Sequence, residues 1–240
     1  MGTSQSHSLK TTPQWSTAKK AMTSVIKDQG NHQKQSKFVT AFGRAIGDSL
    51  YRGGGHRGGG SFGRAGTRAL SNVIKFVSDV KLLGISGAID TLGLDQNDKP
   101  QTPRELIKTL CGLTAVGGDA LHDDEAAVNA QDWLLSKIFE DCSSLGDVET
   151  ILQQADEDTI DAWIIDFEVE YILEYMSELF QSHIFEKNAN PEVICNEIKQ
   201  WLRTELNSRL ADELKHVNIF SREGKAYIDT LTARILDIWQ

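Results

Sequence analysis

The residues best placed to take part in chemistry stand at the start of the chain. Met1-Gly2-Thr3-Ser4-Gln5-Ser6 opens a polar leader, and Gly2 is small enough for methionine aminopeptidase to remove Met1. A glycine α-amine on a polar arm suits a modifying enzyme better than a packed core. The expectation is therefore of a protein that is acted upon. The same residues fit the N-myristoylation pattern, with Gly2 followed by Ser6. That pattern is short and has meaning only in a eukaryotic host.

Other groups suggest other chemistries, each less complete. Gly53-Gly54-Gly55-His56-Arg57-Gly58 matches the letters of a dinucleotide fingerprint, but that fingerprint needs a strand before it and a helix opening on it. Here a helical pattern precedes it, and Asp79 falls inside another one. No P-loop motif occurs. Arg52, Arg57, Arg64 and Arg68 border or interrupt this glycine-rich run and are candidate phosphate contacts. His122-Asp123 suggests a metal phosphohydrolase site, which would need further His and Asp ligands on adjacent helices; His32 and His183 are candidates merely by being present, and acids opening a helix explain the pair more simply. Asp166, Glu170, Glu174 and Glu178 share one helical face. A di-metal carboxylate bundle also needs two Glu-x-x-His motifs, and only Glu213 with His216 fits. A solvated acidic face, or a docking surface for basic residues, is the expectation. Cys111, Cys142 and Cys195 are widely spaced, form no CxxC pair and point to a reducing cytoplasm. No metal site and no catalytic constellation is expected.

The elements that must position these groups are helical. Trp15, Ala18, Met22 and Ile26 lie on one stripe, and Gly30-Asn31 ends it. Phe38, Phe42, Ile46 and Leu50 repeat every four residues over about 35–50. Six glycines in the eight positions 53–60 rule out a continuous helix and predict a flexible loop or hinge. Leu70, Val73, Phe76 and Val77 mark a third helix from about residue 66, weakened near Gly84 and Gly87. Thr102-Pro103-Arg104-Glu105 is a helix start with a capping box. Further helices are expected over about 122–141, 156–185, from Pro191 onward and 223–239. The five tryptophans fall within these patterns and read as core anchors. No segment alternates like a strand. The predicted fold is all-α, an irregular helical bundle with a disordered arm at 1–13, a basic helical region at 14–90 and an acidic helical domain at 102–240.

Charge divides the chain. Residues 1–80 hold 12 Lys+Arg against 3 Asp+Glu, whereas residues 81–240 hold 13 against 31. The basic third suits the acidic body itself, an acidic partner or nucleic acid. No apolar run approaches the roughly 18 residues of a membrane span, and residues 1–30 lack the apolar core of a secretion signal.

Several of these features occur in a recognisable order. The Met1-Gly2-Thr3-Ser4 start precedes the Gly/Arg-rich stretch at 52–68. Leu110-Cys111-Gly112 then leads through Gly117-Gly118 to Asp123-Asp124-Glu125-Ala126-Ala127. Over residues 1–140 the chain resembles the QatB family, a component of the bacterial four-gene Qat anti-phage defence system. The arm after Ser4 lacks the Gly/Pro richness associated with that family. The resemblance implies partners: the QueC-like protein QatC, the KAP-type ATPase QatA and the TatD-like nuclease QatD. By analogy with defence systems in which a QueC-like enzyme attaches a deazaguanine to a protein N-terminus, Gly2 would be the acceptor, and Thr3 and Ser4 would be read by the modifying partner. An α-amine with a pKa of about 7.7–8.0 has a usable neutral fraction for that role. No cofactor is implied other than this covalent deazaguanine at Gly2. The expectation is a non-enzymatic, cytoplasmic subunit. The alternatives are a nucleic-acid-binding adaptor using the basic third, and a metal hydrolase using His122 and Asp123.

Overall fold

Apolar residues at spacings of three and four drive this chain into helices. The computed structural model describes residues 13–52, 63–115, 121–187 and 189–238. Among the described residues it contains α1 (Pro13–Lys27), α2 (His32–Arg52), α3 (Arg64–Asp90), α4 (Pro103–Ala115), α5 (Leu121–Ile138), α6 (Leu145–Gln154), α7 (Glu157–Glu186), α8 (Pro191–Leu214) and α9 (Arg222–Ile238), with a 3₁₀ turn at Gln96–Asp98 and no strand. The fold is all-α, as the periodicity predicts. No helix among the described residues is long and apolar enough to cross a membrane. The glycine-rich run 53–60 and all of the arm except Pro13 lie outside the described residues.

The helix boundaries follow local chemistry. Gly30, with φ of 75°, breaks the chain between α1 and α2. At the start of α4, the Glu105 amide donates to Thr102 Oγ1 at 3.2 Å. The Glu105 carboxylate reaches back to the Gln101 amide at 2.8 Å, one residue further than a standard capping box. The third helix does not end at its glycines. Gly84 takes φ of 73° and ψ of 172°, interrupting α3, which then resumes to Asp90. Glu149 of α6 supports the break by accepting from the Ile85 amide at 3.3 Å. The sequence reading placed no helix between 141 and 156, yet α6 forms there. Ser144 and Asp147 make a reciprocal capping box, and Val148 and Leu152 are buried.

The chain divides into two compact units, each discontinuous in sequence. One holds residues 1–60, 176–201 and 235–240; the other holds 61–175 and 202–234. The division falls inside α7 and α8, away from the change in charge after residue 80. In the first unit, Phe180 meets Phe38 edge-on at a centroid distance of 5.2 Å and Trp15 at 6.2 Å. The Gly30 amide donates to Glu197 Oε2 at 2.9 Å. In the second unit, Leu70, Val73 and Val77 of α3 are buried, as are Leu134 of α5, Phe167 and Tyr171 of α7, Leu206 of α8 and Leu231 of α9. Such apolar faces supply most of the stability of a helical fold.

Two glycines separate packing from propensity. A Cβ on Gly66 of α3 would sit 2.6 Å from the Tyr171 ring, while one on Gly112 of α4 meets nothing within 4 Å. In urea unfolding, Gly66→Ala is expected to lose about 1–3 kcal/mol by overpacking. Gly112→Ala is expected to gain about 0.5–1 kcal/mol from helix propensity. A stabilised Gly66→Ala would contradict this packing.

Candidate functional site

A buried polar cluster gathers around Gly63. Gly63 has φ of 95°, in the left-handed region, and sits just before α3. The exposed amides of a helix start need acceptors, and here Asp123 from the first turn of α5 provides them. Asp123 Oδ1 accepts from the Gly63 amide at 3.2 Å, and Oδ2 accepts from the Ala65 amide at 2.9 Å. Tyr171 of α7 donates its hydroxyl to Asp123 and accepts from the Gly63 amide at 2.8 Å. The Tyr171 ring stacks on Phe167 at 6.0 Å and covers Gly66.

A second layer surrounds this clasp. Arg68 pairs with Asp124 at 2.6 Å and donates to the Thr114 carbonyl at 3.2 Å. Thr114 donates to Gln131 Oε1 at 2.7 Å, tying α4 to α5. Glu168, one turn from Tyr171 on α7, is fully buried. Its Oε1 accepts from Thr232 of α9 at 2.9 Å, and its Oε2 has no hydrogen-bond partner among the described residues.

Burial governs the electrostatics here. It raises the Asp123 pKa, against the opposing bonds from Tyr171, Ala65 and Gly63. It also lifts the Tyr171 hydroxyl well above the usual tyrosine range, reinforced by the Asp123 charge. Glu168 is pushed up to about 8 by burial, only partly offset by Thr232. Burial likewise pushes the Cys111 thiol up to about 12, which suppresses its thiolate.

The acidic face of α7 corrects the expectation of a solvated surface. Asp166 is buried between Lys137 of α5, at 2.7 Å, and Arg203 of α8, whose Nε lies 2.9 Å away. Glu170 is also buried, and Glu174 accepts from Asn129 at 3.2 Å. The Glu178 side chain lies outside the described residues. Asp166 thus takes cationic partners from two other helices, and Glu174 takes an amide partner from α5.

The remaining candidate residues are scattered. Gly2, Thr3, Ser4 and Arg57 lie outside the described residues, as does the side chain of Arg52. Arg64 is exposed at the first position of α3, and Arg68 is committed to Asp124 and Thr114. His183 Nε2 lies 3.0 Å from Thr23 Oγ1, and His32 is exposed. Glu213 of the single Glu-x-x-His motif accepts from Tyr227 at 3.2 Å and pairs with Arg234 at 2.7 Å. No group of three or more potential metal ligands occurs among the described residues.

The first unit has a basic groove between α1 and α2. It encloses about 650 Å³ and is lined by Lys20 of α1, Lys37 and Arg44 of α2, and intervening small residues. No carboxylate stands among its described lining residues.

The periodicity argument did not single out Glu168. It occupies the same stripe as Ile164 and Ile172, so one acid in a row of apolar residues was the available signal. Searches with the chain match no protein-family model, no curated protein and no solved structure.

The raised Glu168 pKa fixes a pH dependence. The folded protein holds this proton more tightly than the unfolded chain, so the contribution is fully stabilising below the ordinary value of 4.5 and is lost as pH rises through about 8. Glu168→Gln keeps the shape and removes the titration. Relative to this variant, the natural protein is expected to lose stability steadily between those two pH values. Parallel stability curves in urea titrations would contradict the buried protonated carboxyl.

Proposed function

We propose that this chain is a non-enzymatic subunit of a bacterial anti-phage defence complex of the Qat type, with Gly2 presented to a QueC-like partner. In this reading the partner attaches a deazaguanine-type nucleobase to the Gly2 α-amine and reads Thr3 and Ser4. The neutral amine attacks an electrophilic carbon of a base that the partner has activated: the C–N bond forms, the bond from that carbon to its activating group breaks, the activating group leaves with the electron pair, and the amine gives up a proton. The observation that carries the reading is the position of the Gly2-Thr3-Ser4 sequence. Ser4 stands nine positions before Pro13, the first residue of α1, and nine residues of chain can reach about 30 Å. That is enough to enter a partner's cleft without unravelling α1. The buried polar groups add support, since Asp123, Asp166 and Tyr171 all bind other parts of the fold. The KAP-type ATPase QatA and the TatD-like nuclease QatD complete the proposed set of partners.

Gly2→Trp blocks the α-carbon with a bulky side chain and prevents removal of Met1. It is expected to abolish phage protection in cells carrying the whole gene set, while the variant's thermal melt stays unchanged. Full protection by Gly2→Trp would contradict the proposal.

A second reading, a nucleic-acid-binding adaptor, is favoured by the groove between α1 and α2. Its lining cations Lys20, Lys37 and Arg44 suit a phosphate backbone. A combined Lys20→Glu, Lys37→Glu and Arg44→Glu variant is then expected to lose salt-sensitive binding in gel shifts. No shift with the unaltered protein at low salt would dismiss this reading.

A further inference from the structure

The second unit carries a cavity that none of the groups above uses. It opens between α3 and the turn leading into α9, and its volume of about 440 Å³ falls in the range of small-molecule sites. Part of its wall is apolar, formed by the buried Ile74 of α3, Ile219 of the turn and Ile228 of α9, beside Asn72 and three serines. Phe220, the next residue of the turn, lines the same cavity yet is 39% exposed.

The turn that carries Phe220 is tightly pinned. Asn218 Oδ1 accepts from the Phe220 amide at 3.1 Å, and the Asn218 carbonyl accepts from the Ser221 amide at 2.9 Å. Ser221 Oγ then accepts from the Gly224 amide at 3.0 Å. Gly224 lies so close to the turn that a Cβ there would come within 2.5 Å of Ile219 Cα. The backbone that carries Phe220 is thus fixed, and its aromatic ring lines the cavity as a surface on which a flat ligand can stack.

Charge defines the ligand further. Arg222 and Lys225 line the cavity and are exposed, and neither makes an ion pair among the described residues. Lys75, the third lining cation, pairs with Asp79 at 2.7 Å. No carboxylate stands among the described lining residues. These unpaired cations occur within residues 81–240, where Asp and Glu outnumber Lys and Arg by 31 to 13. Local positive charge beside an apolar wall calls for a ligand with a flat apolar body and an anionic group.

We propose that this cavity binds a nucleoside monophosphate. Its base lies against Phe220 and the isoleucine wall, and Arg222 and Lys225 hold its phosphate. Ser78, which also lines the cavity, offers a hydroxyl to the sugar. Inorganic phosphate would leave the apolar wall uncovered, and a neutral nucleoside would leave both cations unpaired.

The test is isothermal titration calorimetry on the full chain with AMP, GMP, CMP and UMP in turn, and with the matching nucleosides and inorganic phosphate. At least one monophosphate is expected to bind, with its nucleoside and inorganic phosphate each about tenfold weaker or worse. Phe220→Ala, and Arg222→Glu combined with Lys225→Glu, are each expected to weaken that binding by about tenfold or more. Thermal melts of the variants check the fold. Should Phe220→Ala melt early, Phe220→Leu fills the turn without a flat ring and carries the same expectation. The proposal is overturned if no monophosphate binds, if neither variant weakens binding, or if inorganic phosphate binds as well as the nucleotide.

Discussion

The Asp123 carboxylate is the constraint on which much of the second unit depends. A carboxylate taken out of water must find donors or give up its charge. Asp123 finds them in the amides of Gly63 and Ala65 and in the Tyr171 hydroxyl. Those groups belong to the approach to α3, to α3 itself and to α7, so one side chain of α5 ties three places in the chain together. Two glycines follow from that arrangement. Gly63 is the residue that takes a left-handed φ where the chain turns into α3, and Gly66 leaves room for the Tyr171 ring. The Gly/Arg-rich segment therefore joins the second unit at a fixed point. The adjacent acid, Asp124, engages Arg68, which directs one of the candidate phosphate-binding arginines inward.

The same logic extends along α7. This helix has acids where an all-apolar helix would simply pack, and three of them are handled differently. Asp166 is paired with two cations. Glu174 meets an amide. Glu168 has a single threonine partner, and burial favours its neutral form. Pairing suits the site within reach of Lys137 and Arg203, and neutralisation suits the one surrounded by apolar neighbours. The excess of acid in residues 81–240 is therefore partly interior, and only part of it faces outward.

Much of this was legible in the sequence, for identifiable reasons. The four-residue spacing of Phe38, Phe42 and Ile46 and the run Leu202, Leu206 and Leu210 mark buried helix faces directly. Gly30 and Thr102 mark boundaries through local backbone chemistry. What periodicity cannot carry is the partner of a side chain distant in sequence. Asp123 read as a cap for its own helix, because its partners at 63 and 65 lie about sixty residues away. The α7 acids read as solvated because their cations come from α5 and α8. Helix α6 escaped because it is short and begins in a polar stretch, although Ser144 and Asp147 carried its capping signal. The candidate acceptor Gly2 lies outside the described residues, so sequence chemistry and the family resemblance carry its proposed role.

The functional proposal assigns the folded units a supporting task and puts the reactive atom on Gly2. Intact mass followed by N-terminal peptide mapping, on protein co-expressed with its genomic neighbours, tests that assignment most directly. The account predicts loss of Met1 and an added nucleobase-sized mass on the peptide that begins at Gly2. An unmodified Gly2 under those conditions would contradict it.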